Sequence, residues 1–267
     1  MTRPLEGEVA VVVPVYRPGL SADERVSLRH LERVLGGYDR FLVVPKSLRF
    51  GLDGFGVKRF PDRFLESRRG YSALMLSRRF YSSFADYDYI LIYQLDCLVF
   101  RDELHYWCEQ DHDYIGAMHT IGDRSLPGNG GFSLRRISSF LNVLNSKTRT
   151  VDPGEHWQRH WSQRAPLRRS LSLPRRYAKH LHAFNGVGWE IHRMNRAYHG
   201  WAEDWFWSLN AQKYWPRFRI APNEQGLRFA FAEFPEEWFE LAGRQLPFGC
   251  HGWNGVARPF WEAYVLP

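Results

Sequence analysis

Asp96 interrupts the apolar run "ILIYQLDCLVF" (90–100). A lone carboxylate in such a run needs a partner, because burying an unpaired charge is expensive. On a strand, residues two apart project to the same side, so Gln94 and Asp96 are expected together where the strand frays into a loop. A divalent cation with a phosphate-bearing ligand takes few protein carboxylates and completes its shell with substrate oxygens. Asp96 beside an amide supplies part of that shell, and the same Asp suits a cap for the following "RDELHYW". "PGNGGFSLRR" (127–136) clusters Gly128, Gly130 and Gly131 around Asn129, which permits close backbone approach, positive φ or a plain turn before a strand. "AEDWFWSL" (202–209) sets Glu203 and Asp204 ahead of an aromatic amphipathic run. These acids either complement a helix N-terminus or present a general base at the mouth of an aromatic cleft. In "FGCHGWNGVARPFW" (248–261), His251 lies in a Gly-rich irregular stretch, a setting for an exposed or ligand-binding imidazole.

The elements that must hold these residues follow from periodicity. "EVAVVVPVY" (8–16) is a β-branched run ending at Pro, as in a buried parallel strand. In "SADERVSLRHLERVLGG" (21–37), Ser21 and Glu24 form a capping-box pattern, Leu28, Leu31 and Leu35 share a face, and Gly36-Gly37 supplies the stop. "DRFLVVP" (39–45) is a second strand, completing a right-handed βαβ unit. A helix over 70–84, one strand through 90–100, and short strands at 112–119 and 130–136 complete an α/β layer. Asp96 falls near the C-terminal end of a central strand, where ligands of such sheets collect.

The 267 residues are 44% hydrophobic, enough for a full core, and 16% aromatic. The net charge is +7, with 31 Arg and 5 Lys. Arginine suits bidentate phosphate recognition, and a GC-rich genome produces the same excess. No RNP-like, helix-turn-helix or finger pattern accompanies the charge, so nucleic acid is excluded as a partner. Cys97, Cys108 and Cys250 are odd in number with no CxxC spacing, which argues against a disulfide framework or zinc knuckle. No signal peptide precedes Glu8 and no apolar run reaches membrane-span length, so the expected location is cytoplasmic.

Taken in order, "VVVPVYRPGLSADE", "YSALMLSRRFYSSFADYDYILIYQLDCLVFRDELHYWC", "DYIGA", "GNGGFSLR", "EDWFWS", "IAPNEQGLRFAFAE" and "FGCHGW" resemble nucleotide-sugar glycosyltransferases of the GT-A fold. The chain is most similar to a bacterial and fungal family of glycosyltransferase-like domains catalogued as a domain of unknown function. The resemblance covers about residues 8–255 and leaves 137–183 poorly matched. It implies one GT-A-like (Rossmann-like) domain over 1–267, with a mixed, mostly parallel sheet flanked by helices. Residues 8–135 would be a nucleotide-sugar-binding half, 137–183 a surface excursion and 184–267 an acceptor- and metal-binding half. Pro14, Val15, Tyr16 and Tyr71 would bind the donor. Gln94-Leu95-Asp96 matches the Asp-x-Asp motif, with Asp96 at its metal-binding last position and Gln94 replacing the first acid, a loss of one charge from the shell. His251 matches a C-terminal metal-binding His, and the cation would be manganese or magnesium. Asn129, Gly130 and Gly131 match the loop under the transferred sugar, Arg258 a diphosphate-loop Lys, and Glu203-Asp204 the pair whose Asp is the base of inverting members.

The implied activity is hexosyl-type transfer from a nucleotide-diphosphate sugar, UDP by fold-level analogy, to a hydroxyl of a glycan or lipid-linked acceptor. A catalytically inactive sugar-binding protein of the same fold is the alternative. The basic stretch with Trp157, Trp161, Arg164, Arg168, Arg169, Arg175 and Arg176 reads either as peripheral contact with an anionic inner membrane or as a solvated loop.

Overall fold

Val9–Pro14 (β1) is buried along its whole length. Its odd-numbered valines enter one apolar layer with Leu28, Leu31 and Leu35 of the helix Ala22–Leu35. Ala10 and Val12 enter the opposite layer. A strand with apolar side chains on both faces needs cover on both, and each fully buried leucine contributes roughly 1.5–3 kcal/mol. Both halves of the expected capping box form at Ser21 and Glu24. The computed structural model describes residues 8–160, 173–198 and 202–266.

The other strands are β2 (Asp39–Pro45), β3 (Gly56–Phe60), β4 (Tyr89–Tyr93), β5 (Cys97–Val99), β6 (Tyr114–Ile121), β7 (Arg124–Arg136), β8 (Ala230–Phe231) and β9 (Gly249–His251). They make one nine-stranded sheet in the order β3-β2-β1-β4-β7-β6-β8-β9-β5. The pairings β3–β2, β2–β1, β1–β4, β6–β8 and β8–β9 are parallel; β4–β7, β7–β6 and β9–β5 are antiparallel. The expected mixed, mostly parallel α/β sheet is therefore present. The second face is covered by the helices Arg68–Met75, Arg78–Ser82, Ile137–Leu144 and Ala202–Leu209, through Leu74, Phe80, Phe140, Phe206 and Trp207. Trp238, Trp253 and Trp261 close a smaller cluster against Leu98, Met118 and Phe231.

Four expectations change. The run 90–100 is two strands, not one: β4, in the interior of the sheet, ends at Tyr93, and β5, an edge strand, begins at Cys97. Gln94 and Asp96 therefore sit in the turn that carries the chain between them. The 70–84 helix is broken at Ser77, whose hydroxyl accepts from the Phe80 N–H at 3.3 Å and so caps a second helix. The glycine segment is not a loop before a strand but lies inside β7, which runs from Arg124 to Arg136. Residues 137–144 belong to the core, because Ile137, Phe140, Val143 and Leu144 are buried, so the irregular segment begins after them. Trp161, Arg164, Arg168 and Arg169 lie outside the described residues, as do the side chains of Arg175 and Arg176. Among the described residues, no helix is long and apolar enough to cross a membrane.

Candidate active site

The floor of the site is a bulge. Gly116 pairs with Ser133, and the next β6 residue, Ala117, pairs with Asn129, so residues 130–132 have no partner on β6. They follow β4 instead: Phe132 pairs with Tyr93, and the Gln94 N–H donates to Gly131 O at 3.0 Å. Asn129 fixes the bulge, its Oδ1 accepting from the Gly131 N–H at 2.9 Å. Neither Gly130 nor Gly131 has positive φ. Their requirement is space: a Cβ on Gly131 would meet the His251 ring, and one on Gly130 would meet the Glu203 and Asp204 carboxylates.

Above Gly131 stand Asp96 and His251. The Asp96 carbonyl accepts from the Gly252 and Trp253 N–H groups at 2.8 and 3.1 Å, and Gly252 takes φ +73 to allow this turn. The clasp brings His251 Nε2 to 3.4 Å from Asp96 Oδ1 and 3.1 Å from Gln94 Oε1. Burial opposes charge on both groups, yet their mutual attraction prevails: the Asp96 carboxyl is held below its ordinary range and the His251 imidazole above its own. Asp96 Oδ1 is buried without a hydrogen-bond partner. Cys97 Sγ completes a group whose ligand atoms lie within 4.8 Å of one another. Its thiol is pushed well up by burial and donates to Gly131 O at 3.3 Å. A carboxylate oxygen, an imidazole nitrogen and a neighbouring amide oxygen are donors that suit manganese or magnesium with phosphate oxygens completing the shell. The residues present fit such a cation.

Glu203 and Asp204 enter from the first turn of Ala202–Leu209, both nearly buried. The Gly130 N–H donates to Asp204 Oδ1 at 2.8 Å. Glu203 Oε1 lies 2.5 Å from the guanidinium of Arg135, which is fully buried and also donates to Gly130 O, Ser133 Oγ and Tyr81 OH. Burial and the adjacent Glu203 carboxylate push the Asp204 carboxyl well above the ordinary carboxylate range.

From the Asp96–His251 couple a cleft of about 520 Å³ opens past the C-terminal end of β1. Its walls include Pro14, Tyr16, Arg17, Arg68, Tyr71 and Asn254. Tyr16 is 60% exposed, an open aromatic face. Arg68 adds positive charge that further lowers Asp96. The Tyr71 hydroxyl is buried with no hydrogen-bond partner, and its acidity is suppressed by burial and then by Glu203.

A family model described as "Protein of unknown function (DUF5672)" matches residues 54–251, about three quarters of the sequence. The chain belongs to this family. No curated protein matches it. Two X-ray structures of the mannosyltransferase Ktr4p from S. cerevisiae, one in complex with GDP, are similar at 12% identity with a TM-score of 0.32. Each likeness covers 44% of this chain and 41% or 42% of the yeast chain, so it spans less than half of either protein.

Within this DUF5672 chain, the residues singled out by sequence are brought together unevenly. Asp96, His251, Gln94, Gly130, Gly131, Glu203 and Asp204 form one polar centre, and Pro14, Tyr16 and Tyr71 line its cleft. Val15 is buried in the core, so its side chain does not face the cleft. Arg258 is turned to Asp23 at 3.2 Å and Glu262 at 2.8 Å, outside the cleft lining. Phe206 and Trp207, which read as a cleft lining, are fully buried core residues. Sequence reasoning assigned no role to Arg135, Arg68 or His119. An Arg in the apolar alternation of "GFSLR" was the available signal for the first; the other two had none.

Proposed function

We propose that this protein is a glycosyltransferase of GT-A type that moves a sugar from a nucleotide-diphosphate donor to an acceptor hydroxyl. The observation that carries the reading is the juxtaposition of a cation-competent Asp96–His251 couple and a buried acid, Asp204, over adjacent floor residues, at the end of a cleft that begins with an exposed aromatic ring. Tyr16 is placed to stack on a base, and Arg17 and Arg68 to meet diphosphate charge. A divalent cation held by Asp96 and His251 would supply charge neutralisation for the departing diphosphate. Gly130 and Gly131 let the His251 ring and the Glu203 and Asp204 carboxylates close directly on the floor. Asp204, on the Gly130 side, takes the acceptor proton in its ionised form, giving an in-line displacement that inverts the anomeric centre. Glu203 is committed to Arg135 and acts by setting the proton state of Asp204.

The test is a panel of UDP- and GDP-sugars with and without manganese, read by nucleotide release and by calorimetric binding. Cation-dependent binding and release that Asp96→Asn abolishes is the expected result. Absence of binding by any nucleotide sugar refutes the reading. A sugar-binding protein without turnover is the second reading, favoured by Gln94 in place of an acid. It predicts binding without release.

A further inference from the structure

Two carboxylates that line the nucleotide cleft, Glu24 and Glu66, have no part in the reading above. A diphosphate in the cleft would be repelled by a fixed negative charge. Glu66 is exposed, but Glu24 is pinned, with its side chain only 14% exposed. Glu24 Oε2 accepts from the Ser21 N–H at 2.7 Å and from Arg17 Nη2 at 2.8 Å. Burial opposes the charge, yet these donors hold the carboxyl below its ordinary range, so Glu24 is ionised at neutral pH.

The capping box accounts for Oε2 and not for Oε1. A carboxylate has about four lone-pair sites, two on each oxygen. Both on Oε2 are taken, whereas Oε1 has no hydrogen bond among the described residues. Tyr16 lines the same wall, its ring centroid 5.8 Å from the Arg17 guanidinium. The segment after β1 thus offers the cleft an open aromatic face and an anionic acceptor with one oxygen to spare. A diphosphate has no hydrogen to give that oxygen, so the donor must come from the nucleoside. A guanine edge presents two parallel N–H groups and needs both carboxylate oxygens, one of which is saturated. The uracil N3–H lies between two carbonyl oxygens, which a carboxylate repels. A ribose hydroxyl needs one oxygen and carries no such flanking acceptors.

We infer that Glu24 is a specificity-determining residue of the cleft, whose Oε1 accepts from the ribose 2′-hydroxyl of the nucleotide. Sugars carried on a ribonucleoside diphosphate are then bound in preference to those carried on a 2′-deoxyribonucleoside diphosphate. A site built to hydrogen-bond a hydroxyl rejects the analogue that lacks it, because the site's own polar group is left unpaired. The inference rests on the glycosyl-transfer reading and narrows its donor class.

Titration calorimetry with manganese tests this, using UDP, GDP and their 2′-deoxy forms against the wild type, Glu24→Ala and Glu24→Gln. The wild type should prefer the ribose forms by roughly 10–100-fold, the worth of one hydrogen bond to a charged acceptor. Glu24→Ala should bring the ribose and deoxyribose forms level. Glu24→Gln keeps a capping-box residue and an acceptor but not the charge, so the preference should survive in weakened form. A residue that only capped its helix would behave otherwise: its loss would lower Tm and weaken both forms by the same factor. Equal binding of the two forms by the wild type, or an unchanged preference in Glu24→Ala, overturns the inference and leaves the transferase reading standing. Where Glu24→Ala does not fold, an undiminished preference in Glu24→Gln overturns it equally. If neither form of either nucleotide binds, the transferase reading itself falls.

Discussion

Replacing Gly131 with alanine tests whether the bulge exists to seat His251. A Cβ at this position would have the His251 Nε2, Cδ2 and Cε1 atoms as its three nearest neighbours, all inside the limit that real contacts respect. One partner must move, and the imidazole is the end of a side chain whereas the floor is hydrogen-bonded at Gly131 through both its N–H and its carbonyl. Overpacking of this kind costs about 1–3 kcal/mol. The displaced ring loses its 3.4 Å approach to Asp96 and its 3.1 Å approach to Gln94, which should weaken cation binding by roughly 10–100-fold, the usual range for disturbed metal-site geometry. The decisive assay is a double-mutant cycle in urea: Gly131→Ala, His251→Ala, and both together. If the methyl and the imidazole compete for one space, removing the ring relieves the methyl, and the double variant is more stable than the sum predicts by about 0.5–3 kcal/mol. Additivity within about 0.5 kcal/mol would refute the argument.

Arg135→Met should destabilise by about 3–5 kcal/mol because it leaves the Glu203 carboxylate buried without its guanidinium, and Arg135→Met with Glu203→Met should recover much of that in chemical denaturation. His119 is depressed from 6.5 to about 4, so the unfolded chain binds a proton that the folded one refuses, and this residue's contribution to stability falls as pH drops from about 6.5 towards 4, by at most about 3 kcal/mol. His119→Gln should flatten the denaturation-midpoint profile across that window; an unchanged slope contradicts the buried neutral imidazole. Since burial and Glu203 raise Asp204, transfer should accelerate as pH rises through its elevated pKa. Asp204→Asn should lose that limb and roughly 10²–10⁴-fold in rate while binding donor normally, and product NMR showing retention would exclude the single displacement.

The first βαβ unit was legible because every signal in it is local: β-branched residues, a capping box, and a leucine stripe that one helix satisfies. β3 was missed because "GVKRF" is a short, mostly exposed edge strand without an apolar alternation. The apolar continuity of 90–100 hid the break at Gln94, since apolar character records burial and not the neighbour that buries it. β5 pairs with β9, a partner that no window around residue 97 contains. The chemistry-bearing residues Asp96, Asp204 and His251 were recognisable by type, but their meeting over Gly130 and Gly131 is a property of the bulge. The aromatic run after Asp204 shows the limit most clearly: Trp and Phe signal a large apolar face, and the fold spends Phe206 and Trp207 on its own core.

The clasp between the turn at Asp96 and the segment at His251 also fixes when the site can exist during synthesis. Gln94 and His251 are separated by 157 residues in sequence. At translation rates of about 5–20 residues per second, β5 waits roughly 8–30 s for the strand that covers its edge. Through that interval Cys97, Leu98 and Val99 have no ladder partner, while the βαβ unit behind them is already able to form. A nascent chain can therefore acquire its aromatic cleft wall early, but the Asp96–His251 couple cannot form until the segment around His251 emerges. Ligand held by Asp96 and His251 would act as a late lock on folding, and strand β5, short and flanked by a charge, is the edge most exposed to mispairing before that lock closes.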